Sequence, residues 1–398
     1  MQNLASRRQF LKVAGSSVLA AGVAPAILGA EDKAGTKPVV IGKGEFQYEC
    51  HHGWGELPQG ITWKNTHGTA IDRDGLIYIT HQGVGNAPCD TVVVFDPEGK
   101  YVRSFGKEYA GGGHGISIRD EGGTEYVYLS NTGLKSVVKC TKTGEVVWSK
   151  LTPSEPHLYD GPTAEEIAAA QAAGKTPPKK PGYSPTNVCF GPQGDLYVGD
   201  GYGSSYLHQY DLEGKWIRSW GGAGTAAGKM RTPHGQWLDS RGGTPRLVIA
   251  DRANARLQYF SLDGKPLEVL QGVPAAKKDQ SGTRKELAGE GGISIPVTQL
   301  YGISFPADID IQGDIMLVPD LHARIILMNA KNEIVANLGL DEAWTAKVLD
   351  GFKIRSQPAA WPDGKFIHPH DACFDADGNI FVAEWVDQGR VSFLKKVS

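Results

Sequence analysis

Histidine is the residue type whose spacing first suggests chemistry in this chain. Four of the 11 histidines stand near the start of short strand-like segments, which read THGTAI, GHGISI, TPHGQWL and HPHDACF. These residues are His67, His114, His234 and His370. Neutral imidazole is a common zinc ligand, and three imidazoles with an open fourth position form the arrangement of a catalytic zinc site. Such a site requires elements that bring residues so far apart in sequence together.

The four segments belong to a repeat that recurs along the chain. Each unit has a small apolar strand, a turn at Asp or Gly, a second strand ending at Asp or a neighbour, and two further strands. The six units begin THGTAIDRDGLIYIT, GHGISIRDEGGTEYVYLS, SPTNVCFGPQGDLYVGD, TPHGQWLDSRGGTPRLVIAD, FPADIDIQGDIMLVPD and HPHDACFDADGNIFVAE. Alternating apolar residues with turn signals at this period are typical of four-stranded blades around an axis. The sequence therefore predicts an all-β fold, a six-bladed β-propeller.

The last unit is shorter than the others. It stops after its third strand, GRVSFLKK, so the outer strand of the last blade is missing there. A blade without its outer strand would expose an unpaired edge. The segment PVVIGKGEFQYEC at 38–50 is strand-like and otherwise unassigned. We predict that this N-terminal strand closes the last blade.

The residues that open the first strands are expected to approach the central axis, because innermost strands line the channel of a propeller. In blade order they are His67, His114, Thr186, His234, Ala307 and His370. Blades two, four and six carry histidine, so these three imidazoles would stand at roughly threefold positions. We predict that His114, His234 and His370 hold zinc. The alternative is that each histidine only bonds a neighbouring backbone. We expect His67 to be either a fourth ligand or a hydrogen-bond donor to one of the other three ligands.

The repeats resemble NHL repeats, and residues 198–260 resemble the catalytic core of peptidyl-α-hydroxyglycine α-amidating lyases. The motifs that carry this resemblance are VGDGYGSSYLHQYDLEGKWIRSWG, TPHG and VIADRANARLQYF, with GGHGISI before them and HPHD after them. The similarity covers blades three and four closely and all six blades loosely. It implies a six-bladed propeller with zinc held by His114, His234 and His370, and cleavage of an α-hydroxyglycine into an amide and glyoxylate.

The same resemblance implies roles for three further residues. Tyr202, in the DGY motif, would be a general base or proton shuttle. Arg252, in the ADR motif, would assist the tyrosine or pair with a substrate carboxylate. Asp371, directly after the last histidine, would bind a structural calcium. The alternatives are a rim aromatic for Tyr202, a general repeat residue for Arg252 and a turn-forming residue for Asp371.

Arg256 belongs to the general repeat pattern, since it recurs as Arg324 and Arg390, and we expect all three to be structural.

The chain also departs from the lyase pattern. The family's substrate-facing arginine is absent from ECHHGWGELP, and His368 stands where the family has methionine. The positions of two family disulfides are held by Ser184, Gly203, Val248 and Tyr259. The sequence therefore does not determine the substrate, which would be a small molecule or a peptide. Two alternatives to a lyase remain. One is a zinc hydrolase or lactonase, and the other is a non-catalytic binding platform.

The N-terminal stretch SRRQFLKVAGSSVLAAGVAPAILGA resembles a twin-arginine export signal over residues 1–30. It predicts the twin-arginine machinery as a partner and a periplasmic or secreted location; the alternative is an ordinary secretory signal.

Residues 31–398 are predicted to form one propeller domain. It is interrupted by insertions at 153–183, 271–300 and 341–365. Within the first, Thr163 predicts a helix start, because glutamate follows three residues later.

Composition excludes several classes of partner. The formal net charge is −3, which gives no reason to expect nucleic acid or an anionic membrane. Beyond the N-terminal stretch no apolar run is long enough to span a bilayer. The five cysteines are scattered without a CxxC motif, so no disulfide framework is predicted. Cys50, followed by His51 and His52, is a weaker second candidate for a metal site.

Overall fold

β-Strands dominate the structure, a computed structural model. It describes residues 38–83, 88–271, 286–288, 294–296 and 302–397. In chain order the strands of the first half are β1 (Val39–Lys43), β2 (Phe46–His52), β3 (Thr66–Ile71), β4 (Ile77–His81), β5 (Val92–Phe95), β6 (Tyr101–Phe105), β7 (Gly113–Glu121), β8 (Thr124–Asn131), β9 (Ser136–Thr141), β10 (Val146–Lys150), β11 (Asn187–Phe190), β12 (Leu196–Gly199), β13 (Tyr206–Tyr210) and β14 (Trp216–Gly221).

The second half continues the same pattern. Its strands are β15 (Pro233–Asp239), β16 (Arg246–Asp251), β17 (Arg256–Phe260), β18 (Pro266–Gln271), β19 (Glu286–Ala288), β20 (Ser294–Pro296), β21 (Asp310–Gln312), β22 (Ile315–Asp320), β23 (Arg324–Met328), β24 (Ile334–Leu338), β25 (Pro369–Phe374), β26 (Ile380–Glu384) and β27 (Arg390–Lys396). Two α-helices occur among the described residues, α1 (Ala164–Ala172) and α2 (Glu342–Val348). None of the helices described is long and apolar enough to cross a membrane.

Apart from β19 and β20, which pair only with each other, the described strands form six antiparallel sheets, which are the blades of a propeller. Blades one to four are β3–β6, β7–β10, β11–β14 and β15–β18, and blade five is β21–β24. The first strands of successive blades contact one another, and β25 of the sixth blade contacts β3 of the first. This closes the ring around a central channel. The predicted all-β, six-bladed propeller is therefore confirmed.

Blade six joins both halves of the chain. Its sheet has the order β1-β2-β27-β26-β25, and in it Cys50 of β2 lies opposite Leu394 of β27. The predicted closure by an N-terminal strand is confirmed, with one addition. Residues 38–50 form a hairpin rather than a single strand, so β2 is the fourth strand and β1 adds a fifth. Tyr48 and Cys50 are buried in the apolar cluster that lies between blades five and six.

The repeated arginines contact acidic residues within their own blades, as expected. Arg256 lies 2.6 Å from Asp251, and Arg324 lies 3.1 Å from Asp320. In blade six, Arg390 and Glu384 form the corresponding pair at 2.7 Å. In each pair the acid ends the second strand and the arginine begins the third. Buried pairs of this kind fix the turn that connects these strands, because removing either partner leaves an unpaired buried charge.

The insertions form structure of their own. Helix α1 begins in a capping box, in which Thr163 accepts from the backbone of Glu166 and Glu166 accepts from the backbone of Thr163. The helix start predicted there is confirmed. Helix α2 lies within 341–365, and Trp344 donates its indole N–H to the carbonyl of Phe366. The predicted insertion at 271–300 falls largely outside the described residues, as does the predicted export signal at 1–30.

Candidate metal and catalytic site

Four buried imidazoles meet at one end of the channel. They are carried by His67 on β3, His114 on β7, His234 on β15 and His370 on β25. The ring centroids of His114, His234 and His370 lie 4.6–4.9 Å apart, and the ring of His67 lies 4.9 and 4.7 Å from those of His114 and His370. The structure thus brings together every histidine that the repeat predicts at the axis.

Hydrogen bonds to the next blade fix three of these rings. Nδ1 of His114 lies 2.7 Å from the carbonyl oxygen of Thr186, and Nδ1 of His234 lies 2.7 Å from that of Ala307. Nδ1 of His370 lies 2.9 Å from the carbonyl oxygen of His67, which closes the ring. A carbonyl oxygen only accepts, so each Nδ1 carries the proton. Each Nε2 therefore holds a lone pair, which is the form that binds a metal.

Glycines allow the blades to approach closely enough for these bonds. Gly115 and Gly235 directly follow two of the axial histidines. A Cβ atom at Gly115 would lie 2.3 Å from the carbonyl oxygen of Thr186. At Gly235 it would lie 2.1 Å from a carboxyl oxygen of Asp308. Both positions are closed to any larger residue, so the HG dipeptide reflects blade packing as well as the histidine itself.

Burial keeps the imidazoles neutral. The pKa of His114 is lowered to about 3, chiefly by desolvation, with a contribution from the nearby Arg252. Burial likewise places the pKa values of His67, His234 and His370 well below the usual histidine value. Neighbouring imidazoles add to the effect at all three, as does Arg252 at His234 and His370, since a second positive charge is unfavourable there. Near neutral pH all four rings are thus uncharged potential ligands.

His67 adds a fourth nitrogen to the cluster. One ring nitrogen each of His67, His114 and His370 lies within 4.8 Å of the other two. Within the described part of the chain, Nδ1 of His67 is buried and has no hydrogen-bond partner, as is also true of Nε2 of His370. This trio differs from the predicted one by exchanging His234 for His67. Two overlapping ligand sets therefore share His114 and His370.

Tyr202 and Arg252 lie beside the histidines. Tyr202 follows β12 and Arg252 follows β16, so neighbouring blades supply them. The hydroxyl oxygen of Tyr202 lies 2.9 Å from Nε2 of His234 and 3.3 Å from Nε2 of His114. Arg252 donates from Nη1 to the same oxygen at 3.3 Å. Tyr202 is 43% exposed, whereas the imidazoles are buried. The phenol therefore lies between solvent and the candidate metal ligands.

A buried acid holds the turn that presents Tyr202. Asp200 directly follows β12, and its carboxylate accepts from the backbone N–H groups of Ser184 and Ser204 at 2.6 Å each. Tyr159, from the insertion at 153–183, donates to the same carboxylate at 2.8 Å. The insertion thus contributes to the site, because its hydrogen bond to Asp200 stabilises the loop that carries Tyr202.

Asp371 lies deeper in the channel, where it meets a second acid that the sequence analysis missed. Its carboxyl group forms a hydrogen bond with that of Asp308 and accepts from the backbone N–H of Thr69 at 2.9 Å. Asn187 donates to Asp308 at 2.5 Å. Burial raises the pKa of Asp308 to about 7 and that of Asp371 well above its usual range. Both acids line a cavity of about 350 Å³ whose other walls are largely apolar.

The structure gives little support to Cys50 as a metal ligand. Its sulfur lies 3.5 Å from Nε2 of His52, whereas Nδ1 of His52 lies 2.7 Å from Oγ of Ser392. Among the described residues, two groups of three or more ligand-type side chains occur, and neither includes Cys50. The second group joins Asp72, Asp74 and Glu125, whose carboxylates surround the ammonium group of Lys142. The ammonium group of Lys142 thus already pairs with all three acids.

Comparison with known proteins confirms the predicted resemblance to peptide-amidating enzymes. No protein-family profile matches the chain. The rat peptidylglycine alpha-amidating monooxygenase is 27% identical over 198 residues, which is 48% of this chain and 18% of that protein. The Xenopus laevis peptidyl-glycine alpha-amidating monooxygenase B is 28% identical over 197 residues, 48% of this chain and 20% of that protein. The aligned region thus spans about a fifth of these relatives.

A solved structure supports the fold alone. A protein of unknown function from Bacteroides thetaiotaomicron superposes with a TM-score of 0.50 at 12% identity. The match covers 87% of this chain and 77% of that one. At this identity the likeness concerns architecture and carries no information on activity.

Proposed function

We propose that this protein is a metal-dependent carbon–nitrogen lyase, which cleaves an α-hydroxyglycine-like substrate into an amide and glyoxylate. The chain is a six-bladed propeller that is similar to peptide-amidating enzymes over about half its length.

One observation carries the proposal. A phenol that can move a proton lies 2.9 Å from one candidate metal ligand, 3.3 Å from a second and 3.3 Å from an arginine. A structural tyrosine on a propeller rim has no need of three such neighbours. If the histidines hold a metal, this proton-transfer group would lie beside a Lewis acid and a cation, an arrangement that suits the lyase reaction.

The residues present fit a zinc ion. His114, His234 and His370 each direct a lone pair inward while Nδ1 is held by a carbonyl, and an all-imidazole donor set suits zinc. The buried Nε2 of His370 has no partner within the described structure, which a metal would provide. When bound there, zinc would supply Lewis-acid polarisation of the substrate hydroxyl or carboxylate.

The chain's own residues would complete the reaction. Tyr202, as the phenolate, takes the proton of the substrate hydroxyl, and the electron pair of that O–H bond forms the carbonyl of glyoxylate. The C–N bond breaks, its electron pair passes to the amide nitrogen, and that nitrogen receives the proton back from Tyr202. Arg252, which donates to the Tyr202 hydroxyl at 3.3 Å, stabilises negative charge on the phenol oxygen.

Arg252 is also the natural partner for a substrate carboxylate. Its guanidinium group is buried and lies 5.2 Å from the ring centroid of Tyr202 and 5.1 Å from that of Phe305. An arginine held between two rings keeps a fixed orientation and can bind a carboxylate through two N–H groups. We propose that Arg252 serves here in place of the arginine that is absent from residues 49–58.

A second candidate function follows from His67. If His67, His114, His234 and His370 all bound one ion, four imidazoles would fill a tetrahedral coordination sphere. Such an ion would stabilise the channel without an open position, and the protein would be a binding platform. The closeness of nitrogens on His67, His114 and His370, within 4.8 Å, is the observation that favours this candidate.

Two measurements separate the candidates. Metal analysis of the purified protein gives the stoichiometry, and release of glyoxylate from an N-acyl-α-hydroxyglycine reports the lyase reaction. Stoichiometric zinc with glyoxylate release supports the lyase. Stoichiometric zinc with no release, together with loss of zinc on replacing His67, supports the closed site. Zinc-dependent ester or lactone hydrolysis without glyoxylate release would instead support a hydrolase.

We further propose calcium at Asp371, with Asp308 as its second carboxylate. Two adjacent carboxyls suit a hard cation, and without one they must share a proton, since neighbouring negative charges disfavour joint ionisation. Calcium should then raise the melting temperature of the wild type and have no effect on Asp371→Asn. An equal response of both proteins would exclude Asp371 as a ligand.

We also propose export by the twin-arginine machinery, on the basis of Arg7 and Arg8 within SRRQFLK. Replacement of both arginines by lysine should retain the protein in the cytoplasm, because that machinery reads the arginine pair. Unchanged export of this variant would indicate an ordinary secretory signal.

A further inference from the structure

His322 of blade five occupies the repeat position that Tyr202 occupies in blade three. Tyr202 is the second residue after Asp200, and His322 is the second residue after Asp320. Both acids are buried, and both accept hydrogen bonds from backbone groups of their own blade. Equivalent positions of a propeller lie at the same level around the axis. His322 therefore lies at the level of Tyr202, two blades further on.

Stacked side chains connect the two positions. The guanidinium carbon of Arg252 lies 5.2 Å from the ring centroid of Tyr202 and 5.1 Å from that of Phe305. The Phe305 ring stacks on the imidazole of His322, with centroids 4.9 Å apart and planes 17° from parallel. These contacts form a continuous arc across blades three, four and five. His322 thus belongs to the surroundings of the proposed reaction site.

His368 extends the arc to blade six. Its Nδ1 lies 2.7 Å from the carbonyl oxygen of Leu321, the residue next to His322. Its ring lies 5.2 Å from the centroid of Phe352 and 5.7 Å from that of Trp385. Because a carbonyl only accepts, Nδ1 carries the proton, and Nε2 is left with a lone pair that requires a hydrogen-bond donor.

Three nitrogen atoms on this arc are buried and have no protein partner among the described residues. They are Nε2 of His322, Nε2 of His368 and Nε of Arg252. An unpartnered buried polar atom destabilises a fold, so each such atom calls for a physical reason. Three of them along one arc of contacts have a common reason if a ligand provides the missing partners.

We propose that His368 and His322, together with Arg252, form a subsite that recognises a hydrogen-bond donor next to a carboxylate. The substrates would accordingly be small acids whose hydroxyl or amide N–H lies near the carboxylate, rather than acids with an apolar group there. The proposal rests on the proposed function only for the orientation of the carboxylate toward Arg252. It names a binding preference that can be measured without turnover.

Glycolate and acetate test the subsite, because they share a carboxylate and differ by a hydroxyl. Calorimetric titration of the purified metal-loaded protein gives the affinity for each acid. We compare the wild type with His368→Asn, in which the amide N–H preserves the bond to Leu321 while Nε2 is lost. His368→Gln is the matched variant, since its amide reaches the position of Nε2. His81→Asn is the control, because His81 is buried but its Nε2 lies 2.8 Å from the carbonyl of Asp90.

The expected result is a preference for glycolate in the wild type that falls about fivefold to tenfold in His368→Asn. His368→Gln and His81→Asn should retain most of this preference. Binding of the hydroxyl by the metal alone contributes equally to every variant and therefore cancels. The same preference in wild type and His368→Asn would overturn the subsite, as would absence of saturable binding of either acid. If the protein shows the preference for glycolate but releases no glyoxylate, the subsite is supported and the proposed lyase function is excluded.

Discussion

Tyr159 donates a hydrogen bond of 2.8 Å to Asp200, and in doing so joins an insertion to the loop that presents Tyr202. The bond is one link of a buried series. Nε2 of His208 lies 2.7 Å from the Tyr159 oxygen, and Nδ1 of His208 lies 2.7 Å from Oγ of Ser219. Residues outside the axial cluster therefore determine where the proposed proton-transfer group stands.

Replacing Tyr159 by phenylalanine should lower the free energy of unfolding by about 1–3 kcal/mol, because Asp200 and His208 would each lose a buried partner. Urea denaturation measures the change. Tyr101→Phe serves as the control, since Tyr101 is 40% exposed and the hydrogen bond between its hydroxyl and Ser104 is exposed to solvent. Equal free energies of unfolding for the two variants would show that the hydrogen bond from Tyr159 does not stabilise the fold.

Replacing His114, His234 or His370 by alanine should reduce bound zinc well below one equivalent, because two imidazoles hold zinc much less well than three. Metal analysis of each purified variant measures this. His67→Ala should retain more zinc than the other three if the open three-histidine site is right. His81→Ala, which removes a buried imidazole outside the cluster, should retain all of it. Full zinc in all three ligand variants would refute the predicted site.

Replacing Tyr202 by phenylalanine should leave zinc content unchanged and slow glyoxylate release by roughly 100-fold or more, the usual contribution of a positioned proton-transfer group. The half-exposed ring keeps its packing, so the fold should be unaffected. Parallel metal and rate measurements separate this outcome from misfolding, in which both quantities would fall. An unchanged rate would mean that Tyr202 is only a rim aromatic.

Deleting residues 31–50 should cause aggregation or a much lower melting temperature. The deletion removes β1 and most of β2, so it opens the edge of β27 and exposes apolar surface that Tyr48 covers. Thermal unfolding combined with size-exclusion chromatography tests this. A truncated protein that stays monomeric and equally stable would contradict the role of β2 in closing the ring.

Asp200 should make stability depend on pH. Burial raises the pKa of Asp200 to about 6, from a value of 3.8 in the unfolded chain. Between these values the folded state binds a proton that the unfolded state releases, so the unfolding free energy falls as pH rises through this range. The variant Asp200→Asn should lack this contribution, and the difference between the two pH profiles isolates it. Parallel profiles would show that Asp200 does not titrate in this range.

The fold and the axial histidines were predictable because both follow from a repeat. A period of short alternating strands fixes blade number, and the position within the period places His114, His234 and His370 at the axis. The hairpin at residues 39–52 was missed in part. The sequence GKGE between Ile41 and Phe46 is itself a turn signal, so PVVIGKGEFQYEC encodes two strands and not one.

Other parts of the site depend on contacts that no local pattern encodes. Asp308 follows Ala307, the residue at the axial position of blade five, and alanine has no functional group that draws attention to this position. The hydrogen bond between Asp308 and Asp371 forms only when blades five and six come together. The position of His322 was readable in principle, since DLH repeats the spacing of DGY. That Nε2 of His322 and His368 lack partners is a property of packing, which sequence spacing does not determine.

The pairing of β2 with β27 also sets the order in which the protein can fold. Cys50 lies opposite Leu394, so the contact that closes the ring is among the most distant in sequence that the chain can make. Such contacts form slowly, because a long loop must close before they contribute any stability. During synthesis, β2 leaves the ribosome long before its partner exists. The nascent chain must therefore carry the β1–β2 hairpin, with the β27-facing edge of β2 unpaired, through the production of five blades. That is the interval in which chaperone binding would matter most.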